Sequence, residues 1–152
     1  MSKGMSDDWR VLVVDDSRFD RELAEEALAG VAHVQTCGDA ESALEILGRE
    51  PIELVISDIT MPGLSGLQLL ERVRREHAGT DFVLVTGDAS LDSAIEALRM
   101  GAADYLLKPV EAERLRRVVE QTLLRRQLLD ENRSLRDLLH TFDACRTLAS
   151  CL

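Results

Sequence analysis

Hydrophobic residues along the chain fall into two alternating patterns. Residues 10–14, 31–36, 52–57, 81–86 and 103–107 form short runs that are nearly continuously apolar and rich in Val, Ile and Leu. Runs of this length, bounded by turn or polar residues, predict strands buried on both faces. Between them apolar residues recur at helical spacing. Leu23, Ala27 and Leu28 form one face, and Ala43, Leu44 and Leu47 the next. Leu67, Leu70 and Val73 form a third, and Leu91, Ala94, Ile95 and Leu98 a fourth. Ser17, Asp39 and Ser90 stand where N-caps belong, and Gly30, Gly48, Gly79 and Gly101 where helices stop. Strict alternation of strand and helix predicts an α/β domain, a doubly wound parallel sheet of five strands with helices on both faces. In such sheets ligands bind beyond the carboxyl ends of the strands.

The last segment has a different period. From Glu111 onward there is no Gly or Pro. Leu128, Leu135, Phe142 and Ala149 repeat every seven residues, and Leu124, Glu131, Leu138, Cys145 and Leu152 form a second column with one charged defect. This heptad pattern predicts that the last helix extends into a parallel coiled coil and makes the chain a homodimer. A helix from 111 to 152 would be roughly 60 Å long. The expected organisation is a flexible N-terminal tail over 1–8, a folded domain over 9–123, and a helical coiled-coil linker over 124–152. Because the heptads run to Leu152 without a stop signal, the linker is expected to lead toward an output domain beyond the sequence.

Composition narrows the function. The 152 residues are 45% hydrophobic, which argues against disorder, and only 3% aromatic, which leaves little on which to stack bases. Residues 1–110 carry 21 acidic and 10 basic side chains, while residues 111–152 carry 7 and 8. An acidic body repels nucleic acid and suits a divalent cation, so no direct nucleic-acid binding is expected. No apolar run reaches the roughly 20 residues that span a bilayer. No secretory signal opens the chain, and Cys37, Cys145 and Cys151 form no CxxC pair, so a cytoplasmic location is expected. His33, His77 and His140 show no ligand spacing. Of 18 basic residues only Lys3 and Lys108 are lysines. Position 108 therefore stands out as the single compact, flexible cation of the folded part.

The predicted strand ends collect the chemistry. Strand 1 ends in Asp15–Asp16, strand 3 in Asp58, strand 4 in Thr86 and strand 5 in Lys108–Pro109, while strand 2 ends in Cys37–Gly38. Three carboxylates brought together need a cation or a proton to coexist. Asp oxygens, a backbone carbonyl and water are what Mg²⁺ prefers. A lysine and a hydroxyl beside them suit a substrate with anionic oxygens, which points to phosphoryl transfer with one carboxylate as nucleophile.

Val11–Leu12–Val13–Val14–Asp15–Asp16, the stretch Asp58–Ile59–Thr60–Met61–Pro62–Gly63–Leu64–Ser65–Gly66, Thr86–Gly87–Asp88 and Tyr105–Leu106–Leu107–Lys108–Pro109 resemble four motifs of the two-component response-regulator receiver domain. The resemblance covers about residues 9–123. It implies a flavodoxin-like sheet of order 2-1-3-4-5, with Asp15, Asp16 and Asp58 side by side. It implies that Asp58 accepts a phosphoryl group from a histidine kinase or phosphotransfer protein. Asp16 would ligate Mg²⁺ directly, Asp15 mainly through water, and Thr60 through its backbone carbonyl. Lys108 would pair with the phosphoryl oxygens, Thr86 would move to hydrogen-bond them, and Tyr105 would turn inward. Pro109 would follow a cis bond. Thr60 and Asp88 would tune dephosphorylation, and Met61–Pro62–Gly63 would only aim the loop. Such a protein is no enzyme in the ordinary sense, but a phosphoacceptor that assists its own phosphorylation and dephosphorylation. A dehalogenase-like phosphatase fits less well, because Thr60 stands where its second Asp would be. A receiver-like module that only dimerises is the other alternative.

Overall fold

The computed structural model describes residues 9–87 and 91–150, without the side chains of Leu91 and of residues 141–150. The expected tail 1–8, the cap Ser90, Asp88, Cys151, Leu152 and the side chains of Phe142, Cys145 and Ala149 lie outside the described residues.

Five parallel strands form one sheet of order β2-β1-β3-β4-β5, as the sequence predicts. They are β1 (Arg10–Val14), β2 (His33–Cys37), β3 (Leu54–Asp58), β4 (Asp81–Thr86) and β5 (Asp104–Leu107). The helices between and after them are α1 (Arg18–Ala27), α2 (Ala40–Arg49), α3 (Gly66–Glu76), α4 (Leu91–Arg99) and α5 (Ala112–Ser150). Side chains of a strand alternate between faces, so each central strand feeds two cores. Val11, Val13, Leu54, Ile56, Val83 and Val85 face α1 and α5. Leu12, Val14, Val55, Phe82 and Leu84 face α2, α3 and α4. Full burial of each such side chain contributes about 1.5–3 kcal/mol.

β1 and β4 coincide with the predicted runs, whereas β2, β3 and β5 begin one or two residues later. Val31 is apolar but buried below β2, where its N–H bonds the Leu28 carbonyl at 2.9 Å. β2 is an edge strand and half exposed, not buried on both faces. Two predicted helix faces also need correction. Leu23 is 45% exposed, and Ala24 takes its place in the core. Ile95 and Leu98 are 42% and 53% exposed, leaving Ala97 as the wholly buried residue among the described side chains of α4.

Ser17 and Asp39 cap α1 and α2 through bonds to the N–H groups of Asp20 and Ser42. Ser65 forms an unforeseen capping box with Gln68 at the start of α3. Gly30 and Gly101 follow their helices with positive φ, as stop signals should. Gly48 does not stop α2, which continues to Arg49. A Cβ at Gly48 would meet nothing within 4 Å. Gly48→Ala is therefore expected to stabilise the fold by about 0.5–1 kcal/mol, read as a higher urea midpoint at unchanged slope.

α5 is one continuous helix of 39 residues. Leu115, Val118, Val119 and Leu123 anchor it in the core, and Arg116 Nε donates to the Ala27 carbonyl at 3.1 Å. Arg126 reaches Asp81 at 3.3 Å, and every residue from 128 to 140 is exposed. Among the described residues no helix is long and apolar enough to cross a membrane.

Candidate functional site

Strand register builds the site. Val14 is paired with Ser57, so the next residues, Asp15 and Asp58, emerge side by side at the carboxyl edge. Asp58 is paired with Val85, which puts Thr86 at the same edge. Thr86 pairs with Leu107, and the Lys108 N–H bonds the Thr86 carbonyl at 2.7 Å, which brings Lys108 in from β5. The peptide bond between Lys108 and Pro109 is cis.

Asp15, Asp16 and Asp58 each offer a carboxylate oxygen, and all three oxygens lie within 4.8 Å of one another. Asp15 and Asp58 are 6% and 8% exposed, and Asp16 is exposed. Lys108 Nζ donates to Asp15 Oδ2, Asp20 Oδ2 and Asp58 Oδ2, each at 3.0 Å. Asp15 Oδ1 accepts from the Ser17 N–H at 2.9 Å, and Asp58 Oδ1 from the Thr60 N–H at 3.2 Å. The Arg21 guanidinium holds the Asp15 carbonyl at 2.7 Å.

These surroundings move two titrations. Burial would lower the Lys108 pKa, but the hydrogen bonds that the ammonium donates to three carboxylates overcome it and hold it above its usual range. Burial pushes the Asp15 carboxyl up, and its bonds to Ser17 and Lys108 only partly offset that. An acid with a raised pKa binds its proton more tightly in the folded state, so ionising it lowers stability, and the loss is relieved as pH falls through the raised value. Asp15→Asn is thus expected to stabilise the Mg²⁺-free protein at pH 7 and to lose that advantage below about pH 4, as urea melts at the two pH values would show. Cys37 packs at the end of β2 and burial pushes its thiol up to about 11, which keeps it protonated at neutral pH.

Of the sequence-derived site residues, the structure brings Asp15, Asp16, Asp58 and Lys108 together, with additions. Thr86 is 2% exposed at the end of β4. Tyr105 is half-buried and packs with the core beneath α2, α3 and α4. Thr60 is exposed in the loop after β3. Asp20, in the first turn of α1, joins the Lys108 cluster and was not foreseen. Met61 is no mere turn residue, because it is buried and anchors the loop in the core, while Gly63 makes the turn with φ 79°. Gly66 packs directly beneath the acceptor: a Cβ there would overlap the Asp58 carbonyl oxygen and lie 2.8 Å from Ile59 Cα. Beside the carboxylates a cavity of about 380 Å³ opens between α1 and the β5–α5 loop, lined by Phe19, Leu23, Val110 and Leu115 with Asp58 and Lys108 at one end.

The chain is similar to known proteins in sequence and in fold. The model of the response regulator receiver domain matches residues 11–120. The chain belongs to that family. As a receiver domain it is 45% identical over 107 residues to the response regulator protein FleR of Pseudomonas aeruginosa, a match covering 70% of this chain and 23% of FleR. It is 36% identical over 116 residues to the DNA-binding transcriptional regulator NtrC of Escherichia coli, covering 74% and 24%. The receiver thus spans about a quarter of these relatives. Among solved structures, NtrX of Brucella abortus superposes with a TM-score of 0.78 at 35% identity, covering 84% of this chain and 30% of NtrX. The signal receiver domain of an HD domain-containing protein from Pseudomonas fluorescens superposes at 0.74 and 27% identity, covering 78% and 97%. The receiver fold, and membership of the two-component response regulators, follow from these matches.

Proposed function

We propose that this receiver accepts a phosphoryl group on Asp58 from a histidine kinase or phosphotransfer protein, in a Mg²⁺-dependent reaction. The observation that carries the reading is the joint placement of Asp58, two further carboxylates and the Lys108 ammonium at one sheet edge. The donor set fits Mg²⁺: three carboxylate oxygens close enough to share one small hard cation, with solvent reaching them at the exposed Asp16. Asp15, Asp16 and Asp58 would hold it, with the Thr60 carbonyl as a further ligand. Bound there, Mg²⁺ supplies charge neutralisation for the carboxylates and for the phosphoryl oxygens.

The chain's own groups do the rest. A carboxylate oxygen of Asp58 forms the new bond to phosphorus as the P–N bond of a donor phosphohistidine breaks. The electron pair returns to the imidazole nitrogen, which takes up a proton from solvent. Lys108 exchanges its contact with Asp58 for the incoming phosphoryl oxygens. Thr86 then turns its hydroxyl toward the phosphoryl group, and Tyr105 moves further into the space released. The apolar cavity beside Asp58, with Phe19 68% exposed at its rim, suits a helical phosphodonor that must bring its histidine to the nucleophile.

On this reading residues 9–123 are the switch, and 124–152 are a linker that pairs two copies and passes a change in dimer geometry to an output module. The test is intact mass after incubation with acetyl phosphate, with and without Mg²⁺. A gain of one phosphoryl group only with Mg²⁺ supports the reading. No gain by a folded protein, together with no beryllofluoride binding, leaves the dimer module as the function.

A further inference from the structure

The last helix leaves the body with its apolar side uncovered. On the side turned away from the buried Leu123, Leu124, Leu128, Leu135 and Leu138 are 47%, 55%, 54% and 64% exposed. With Glu131 they make one seam in alternating steps of four and three residues. In heptad letters Leu128 and Leu135 are a, and Leu124, Glu131 and Leu138 are d. A seam of period 3.5 is buried only against another helix that supercoils around it. A second copy of this chain, parallel and in register, supplies the matching seam. It also sets Glu120 at g opposite Arg125 at e of the second copy, an attractive pair of exposed residues. Residues 111–152 are close to neutral, so the helices do not share the mutual repulsion of the acidic bodies, which salt screens beyond about 8 Å.

In that pairing the layer between Leu128 and Leu135 holds both Glu131 carboxylates. Each enters a hole made by Leu128, Glu131, Asn132 and Leu135 of the second copy. No basic side chain flanks the layer. Positions 127, 132 and 134 beside the seam are Gln, Asn and Ser, and the charged neighbours Asp130 and Arg133 fall at the outer positions c and f. Within its own helix Glu131 Oε1 accepts from the Gln127 amide at 3.4 Å, a neutral donor that leaves the charge in place.

We propose that Glu131 is a built-in weak layer of an α5–α5 homodimer seam, which keeps the dimer dissociable by setting two carboxylates into an otherwise apolar layer. The proposal rests on α5 being the dimer helix and is independent of the chemistry at Asp58. The test is the dimer dissociation constant of the full 152-residue chain by sedimentation equilibrium, with circular dichroism to confirm equal helix content. At pH 7.5 Glu131→Gln is expected to tighten the dimer about tenfold, Glu131→Leu to tighten it further, and Leu135→Asp to weaken it. Equal dissociation constants for wild type and Glu131→Gln at pH 7.5, with Leu135→Asp still disruptive, would overturn the role of Glu131 while leaving the dimer. No effect of either Leu135→Asp or Glu131→Leu would overturn the dimer seam and the proposal with it.

Discussion

Asp58→Asn is expected to accept no phosphoryl group under conditions that load the wild type, and to melt at a higher temperature in Mg²⁺-free buffer. The first effect follows from chemistry: an amide oxygen carries neither the charge nor the nucleophilicity of a carboxylate. The second follows from the crowding of carboxylates. One carboxylate oxygen each of Asp15, Asp16 and Asp58 lies within 4.8 Å of the others, and Lys108 pairs with Asp15 and Asp58. Two unit charges at that separation repel by roughly 3 kcal/mol at an effective dielectric near 20. Solvent at the exposed Asp16 reduces this, so a net gain on the order of 1 kcal/mol is expected. Added Mg²⁺ should raise the melting temperature of the wild type more than that of the variant, because the variant has one carboxylate fewer to neutralise. Thermal melts with and without Mg²⁺ check both statements. A variant that melts below the wild type without Mg²⁺ would show that the Lys108 contact outweighs the repulsion.

Gly66→Ala is expected to cost on the order of 3 kcal/mol of stability and to lower phosphoryl acceptance at the same time. The obstacle is backbone, which cannot swing aside as a side chain can. A Cβ at Gly66 would overlap the Asp58 carbonyl oxygen and lie 2.9 Å from its carbonyl carbon. Those atoms are pinned in turn. Ser57 Oγ donates to the Asp58 carbonyl at 2.9 Å, the Ile59 N–H bonds the Val85 carbonyl at 2.9 Å, and the Gly66 N–H bonds the Ile59 carbonyl at 2.7 Å. Relief requires the acceptor loop or the start of α3 to shift, and either shift moves Asp58 relative to Lys108. Urea unfolding measures the stability, and the initial rate of phosphoryl loading measures the displacement. Gly48→Ala serves as the control, since its Cβ would stand in open space.

The strand ends were legible because their chemistry is local. A buried apolar run announces a strand, and the polar residue that stops it must lie at an end. A parallel sheet puts Asp15, Asp58, Thr86 and Lys108 at one edge, and the strand order that the family resemblance implies makes them neighbours there. Asp20 was not legible in that way, because it lies on the first turn of α1, outside any strand. Its signal was an acid in the first turn of the helix that follows Asp15 and Asp16. The Ser65–Gln68 capping box did have a sequence signature, Ser and Gln three residues apart ahead of an apolar stretch. Leu23, Ile95 and Leu98 were misplaced because periodicity reports that apolar residues share a side, and says nothing of what covers it. Leu23 lines the cavity beside Asp58 instead of the core. Gly48 was misread for a similar reason: glycine permits a helix stop without imposing one, and Arg49 completes the last turn.

The most direct test of phosphoryl acceptance is its location on the chain. The protein is loaded with acetyl phosphate and Mg²⁺, treated at once with borohydride, which reduces an acyl phosphate to the alcohol, and digested for peptide mass spectrometry. Homoserine at position 58, and at none of Asp15, Asp16 or Asp20, is the predicted result. Homoserine at another aspartate, or none in protein that has gained a phosphoryl group, would contradict Asp58 as the acceptor.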